Sequence, residues 1–178
     1  MEQYNLFDPR RSPVLEVIRQ GIFNPEFILT DGVFLYGKLT SKGFFPKRRY
    51  IETQNDRWEM RPRNLFYRQF IVTNLTSHEI EATVKTSLWC EKATVEFTNG
   101  SVFDFKREGL LSKARTWYSS SLGKIFNIEC RSLSYKKPFR ILFEPNGENS
   151  NINLLLSGFI GLNLILKNQE SAATAAAY

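Results

Sequence analysis

The sequence predicts a mainly β fold, with about twelve antiparallel strands closed into a barrel around an apolar C-terminal α-helix. Three observations carry this expectation. Apolar and polar residues alternate with period two along most of the chain, and turn residues interrupt them roughly every ten positions. One stretch near the C-terminus is apolar on every side of any helix drawn through it.

The series opens at 14–20, VLEVIRQ, which fits a strand and has a short helix as its alternative. Segments 26–30 and 33–40 flank Asp31-Gly32, a hairpin signal because these residues tolerate positive φ. Runs 48–54, 57–62 and 66–74 are less regular but have strand length. Ile80, Ala82 and Val84 then alternate with Glu79, Glu81, Thr83 and Lys85. The clearest case follows. Ala93, Val95 and Phe97 alternate with Lys92, Thr94 and Glu96, Thr98-Asn99-Gly100 makes the turn, and Phe103 and Phe105 resume against Val102, Asp104 and Lys106. Segment 115–119 adds a short run. Phe126, Ile128 and Cys130 oppose Ile125, Asn127, Glu129 and Arg131, and Phe139, Ile141 and Phe143 oppose Arg140, Leu142 and Glu144. No useful helical period occurs before residue 150, so the turn spacing fits a meander and not βαβ units.

The helix is expected at 151–167, where Ile152, Leu154, Leu155, Leu156, Phe159, Ile160, Leu162, Leu164, Ile165 and Leu166 cover all faces. Its weakly polar length is about fifteen residues, or roughly 22 Å of helix, against roughly 30 Å of bilayer hydrocarbon. Asn153, Ser157 and Asn163 interrupt even that, so a core helix is expected and a membrane span is not. Gly158 and Gly161 each lower helix propensity by about 1 kcal/mol relative to Ala, but they let bulky neighbours approach. A closed ring of about twelve strands is too wide for its own side chains to fill, and a central helix fills it. One domain therefore spans 1–178, with strands over roughly 14–145, the helix at 151–167 and a low-complexity tail at 168–178 that is expected to fray, extension of the helix being the alternative.

Lys and Arg outnumber Asp and Glu by 24 to 18, for a net charge of +6. That balance suits an anionic partner and equally an ordinary basic surface. Cys90 and Cys130 form no metal-binding spacing and read as buried thiols, a single disulfide between them being the alternative. The first residues, MEQYNLFD, lack the basic and apolar regions of a secretory signal, so a cytoplasmic protein is expected.

Several of these segments resemble bacterial members of the tubby-like superfamily, which includes the tubby C-terminal domain, phospholipid scramblases and LURP-one-related proteins. The similar features are the order strand, Asp31-Gly32, strand, basic run, Arg49-Tyr50-Ile51 and Trp58, the hairpin at 93–106, Trp117 before Leu122-Gly123, and the greasy helix. The resemblance spans most of 14–168. It implies a twelve-stranded closed barrel around a C-terminal helix and, in the tubby branch, phosphoinositide headgroups bound by basic side chains on the barrel exterior. The scramblase branch implies calcium-linked lipid movement, for which this sequence offers no acidic ligand cluster.

Catalytic chemistry finds little support in the residues. His78 is the only histidine and lies in a turn; a catalytic base needs a nucleophile and an orienting group beside it, and Cys90 could serve only through the fold. Ser121–Lys124 and Ser134–Lys137 match Ser-X-X-Lys without the companion elements of that chemistry. There is no Walker-type loop, GxGxxG or HExxH, and the single His, two separated Cys and scarce Asp do not make a zinc or EF-type calcium site. No enzyme, cofactor or metal is expected. The basic clusters are the better lead. The candidates for anionic-ligand binding are Lys42, Lys47, Arg48, Arg49, Arg57, Arg61 and Arg63, with Phe44 and Phe45 beside the first group. Arg68 extends this set, and Lys106, Arg107, Lys113 and Arg115, then Lys136, Lys137 and Arg140, form others. A solvated outer face, which the outward half of a barrel strand must be, is the simpler reading of any one cluster. The expected function is a non-enzymatic binding module for anionic lipid headgroups or a membrane surface. A protein-interaction or regulatory domain and a weak nucleic-acid binder are the alternatives.

Overall fold

The computed structural model describes residues 3–43, 48–63, 68–87, 92–109, 112, 114–131, 134–144 and 153–175. The elements are β1 (Val14–Gln20), β2 (Glu26–Thr30), β3 (Leu35–Lys42), β4 (Arg48–Thr53), β5 (Arg57–Pro62), β6 (Gln69–Asn74), β7 (Ile80–Thr86), β8 (Lys92–Phe97), β9 (Val102–Arg107), β10 (Arg115–Ser119), β11 (Gly123–Cys130), β12 (Phe139–Phe143) and α1 (Leu154–Ala175). Every strand pairs antiparallel with its chain neighbours, and β1 also pairs with β12, so twelve strands close in sequence order. The segment 14–20 is thus a strand with both edges used: Glu16 lies opposite Arg140 on one side and Thr30 on the other. Closure leaves no edge open to another chain.

Alternation sets what fills the ring. Leu15, Val17, Ile51, Trp58, Val72, Val95, Phe105, Ile128 and Ile141 are almost entirely shielded and form one continuous core with the helix. With strands about 4.8 Å apart and tilted, a twelve-strand ring has a backbone radius of roughly 11–12 Å. A helix with its side chains occupies 5–6 Å of that by order of magnitude, leaving about one layer of side chains all round. Leu156 through Leu166 are buried without exception, Ser157 and Asn163 included. Large aromatics complete the layer, with Trp117 stacked on Phe126 at 5.3 Å between ring centroids. No helix among the described residues is long and apolar enough to cross a membrane.

The helix threads the barrel from one mouth to the other. It enters at the mouth where β2 turns into β3 and β12 ends, here called the inlet, and leaves at the outlet, where β1 turns into β2. Asn153 starts it as an N-cap. Its Oδ1 accepts the N–H of Leu156 at 2.9 Å, and its carbonyl accepts the N–H of Ser157 at 2.9 Å. Residues 151–152, expected to be helical, lie outside the described residues. Beyond Lys167 the helix continues to Ala175, which is the extension, and not the fraying, of the two courses the sequence leaves open for this tail. Alanine is the strongest helix former, and contacts of Lys167, Asn168 and Glu170 at the outlet hold the extra turns.

Two glycines allow the close fit. A Cβ on Gly37 of β3 would stand 2.6 Å from the backbone oxygen of Glu52 and 3.1 Å from the Phe159 ring. Gly161 meets Ile128 and Phe105 in the same way from the helix side. The N-terminal segment shuts the inlet. Phe7 lies edge-on to Tyr36 and against Phe143, at 5.4 and 4.8 Å between ring centroids. Asp31 pins it: its Oδ2 accepts hydroxyl bonds from Ser12 at 2.7 Å and Tyr36 at 2.6 Å, and its Oδ1 accepts the N–H groups of Val33 and Phe34.

Two outcomes follow from this packing. Gly37→Ala should destabilise the protein by about 1–3 kcal/mol in urea titration, because rigid backbone cannot yield to the added methyl. Burial resists ionisation of Asp31, yet the Phe34 N–H, the Tyr36 and Ser12 hydroxyls and the Val33 N–H outweigh it and hold the carboxyl well below the usual range. A group held low in the folded state contributes stability that is complete above its unfolded pKa, about 4 for Asp, and is lost as pH falls further. Asp31→Asn should therefore cost roughly 1–2 kcal/mol at neutral pH and flatten the loss of stability below about pH 4. Urea titrations at several pH values would show it.

Candidate anion-binding recess on the barrel wall

Strands β3 to β6 present regular rows of outward side chains. Nearest the outlet, Lys42 is in register with Arg48, and Arg61 with Ile71. Arg49 is in register with Met60, which brings Arg48 and Arg61 side by side one position further on. Arg63 follows two residues after Arg61. Arg48, Arg61 and Arg63 converge there on a recess of about 320 Å³ floored by Pro62 and Ile71. The Glu59 carboxylate takes Arg48 Nη1 at 3.2 Å and the Tyr50 hydroxyl at 3.1 Å. Arg61 and Arg63 have no carboxylate partner among the described residues. Two guanidiniums without a carboxylate partner among the described residues, beside a third paired with Glu59, make this recess the candidate site for a small oxyanion. The planar fork matches phosphate oxygens in pairs.

The other predicted cations fall elsewhere. Lys42 and Arg57 line a neighbouring groove of about 420 Å³ along the outer wall of β2 to β5. Glu26 and Glu52 line it too, Lys38 pairs with Glu52 at 3.7 Å, and Lys42 rests over the Tyr50 ring, so the groove is electrically mixed. Arg49 points inward. Its side chain is 5% exposed, with Nη2 donating to Glu170 Oε1 at 3.0 Å and Nη1 to the Asn163 carbonyl at 3.4 Å. The sequence grouped Arg48 with Arg49, but alternation puts Arg49 on the same face as buried Ile51. That is the signal which separates them. Arg115 is likewise buried and donates to Asn168 Oδ1 at 3.3 Å, so two inward arginines grip the emerging helix. Lys47, Phe44, Phe45, Cys90 and Lys113 lie outside the described residues.

His78 occupies an exposed turn between β6 and β7 with φ of 61°, in the left-handed region. Ser134 Oγ accepts the N–H of Lys137 in a turn, while Lys124 pairs with Glu144 at 3.2 Å. Cys130 is half-buried against the core. Among the described residues no three histidine, cysteine or acidic side chains gather as metal ligands. No family model, no curated protein and no solved structure matches the chain.

The inward grip has a measurable worth. Arg49→Ala should destabilise by about 1–3 kcal/mol, since a shielded guanidinium loses a carboxylate and a carbonyl together. Arg48→Ala, which loses an exposed and solvent-screened pair, should destabilise distinctly less than Arg49→Ala. Paired urea titrations of the two variants give the comparison.

Proposed function

We propose that the protein is a non-enzymatic binding module for anionic lipid headgroups, with Arg48, Arg61 and Arg63 holding a phosphate-bearing group on the outer wall. The convergence of these three guanidiniums on one recess carries the reading. That Arg61 and Arg63 have no carboxylate partner among the described residues supports it, as does a recess large enough for a phosphorylated headgroup. The resemblance of the chain to the tubby-like superfamily, whose tubby branch implies phosphoinositides bound by exterior basic residues, points the same way.

Near a charged bilayer each cation contributes about 1 kcal/mol, so Arg61→Ala with Arg63→Ala should weaken binding by roughly thirtyfold. The measurement is co-sedimentation with phosphatidylcholine vesicles, plain or doped with an anionic phosphoinositide. Equal binding to both vesicle types, or an undiminished double variant, would return the recess to an ordinary solvated wall.

A further inference from the structure

The two mouths of the barrel are opposite in charge. Each mouth comprises the connections at one end and the last two residues of each strand there. At the outlet, lysines or arginines come from all six hairpins, and the described carboxylates in these segments are only Glu26, Glu108 and Glu129. The one carboxylate the helix brings there, Glu170, is engaged by Arg49. At the inlet the balance inverts. Described cations there are limited to Arg10, Arg11, Arg57 and Lys124, while carboxylates come from the N-terminal segment, the end of β12 and every hairpin except β10–β11.

The outlet also carries apolar side chains in water. Phe23 is 95% exposed and Ile22 72%, both in the connection between β1 and β2. Tyr135, in the adjacent connection between β11 and β12, is exposed under the Arg19 guanidinium, 4.5 Å from its ring centroid. The Arg19 N–H donates to the Lys136 carbonyl at 2.8 Å and joins the two connections. The inlet exposes apolar residues too, Leu6, Val33 and Phe34 among them. Apolarity therefore does not choose between the mouths. Charge does.

We infer that the outlet mouth is a membrane-docking face that meets an anionic bilayer end-on, with Ile22 and Phe23 below the headgroups and the encircling cations against lipid phosphates. The inference rests on the lipid reading above and adds orientation to it. The arginine recess opens on the wall beside this mouth, within reach of the same headgroups. A bilayer suits the surface better than a nucleic acid does, because Ile22 gains from hydrocarbon and has no ring on which to stack a base. Each cation brought close to such a surface strengthens binding about fivefold.

The test uses phosphatidylcholine vesicles with and without about a third phosphatidylserine, and brominated acyl chains as quenchers. Phe23→Trp fluorescence should be quenched by the bromolipid on binding, and Val33→Trp, at the opposite mouth, should match the parent protein. Ile22→Ser with Phe23→Ser should lower partition to anionic vesicles on the order of tenfold, and Val33→Ser should leave it unchanged. Both sites are exposed, so circular dichroism should show intact folds. If the parent does not bind anionic vesicles at all, the lipid reading falls and the docking face with it. If the parent binds but Phe23→Trp stays unquenched, or Val33→Trp is quenched instead, the docking face is overturned while the recess keeps its proposed ligand.

Discussion

A helix apolar on all sides has no orientation in which it can face water, and the whole molecule follows from that constraint. Leu156 to Leu166 must be surrounded, and a twelve-membered ring of strands is about the size that surrounds one helix with a single layer of side chains. The dependence runs both ways. Without the helix the ring would enclose a void lined by Trp58, Phe105, Trp117 and Phe126, and residues of this size cost about 3–5 kcal/mol each when truncated in a packed core. Backbone must come close for the layer to be complete, which explains why Gly37 stands where the Phe159 ring meets the wall.

Filling the interior removes it as a place for chemistry. Period-two alternation gives one row of each strand to the core, so polar function is confined to the outer wall and the two mouths. On the wall, antiparallel register turns residues far apart in the chain into neighbours: Lys42, Arg48, Arg61 and Ile71 form one transverse row drawn from four strands. At the outlet, inward-facing Arg49 and Arg115 serve the opposite purpose and fasten the emerging helix through Glu170 and Asn168. Adjacent residues of β4 thus do unrelated work. The face decides.

The architecture was legible because its signals are local. Alternation, the Asn99-Gly100 turn and the all-apolar run at 151–167 each lie within a short window, and together they specify strands, a hairpin and an enclosed helix. Segment 14–20 was ambiguous because VLEVIRQ satisfies either period over so few residues, and only pairing with β2 and β12 resolves it. The start of the helix at Leu154 and its continuation to Ala175 depend on the Asn153 cap and on contacts at the outlet, which no local composition announces. The arginine recess was half-legible. Its members were visible as cations, but grouping them by nearness in the chain mixed Arg49 of the interior with Arg48 of the wall. The pinning of the N-terminal segment by Asp31 was not legible at all, since it joins Ser12 to Tyr36 across a turn and a strand.

The segregation of charge between the mouths escapes a linear reading for a geometric reason. In an up-and-down barrel, successive connections alternate ends, so a basic mouth appears in the sequence as cationic patches separated by acidic ones. The net charge of +6 averages them away. Tilted strands of five to eight residues hold the mouths on the order of 10–20 Å apart, whereas charges in physiological salt are screened over about 8 Å. A charged surface approaching one end therefore senses that end more strongly than the other. For such a partner the relevant quantity is the excess at a single mouth, much larger than the molecular average and opposite in sign to that at the far end. The protein's long-range field thus already distinguishes its two ends before any contact forms, and a recess placed beside the basic mouth lies where that field delivers an anionic surface.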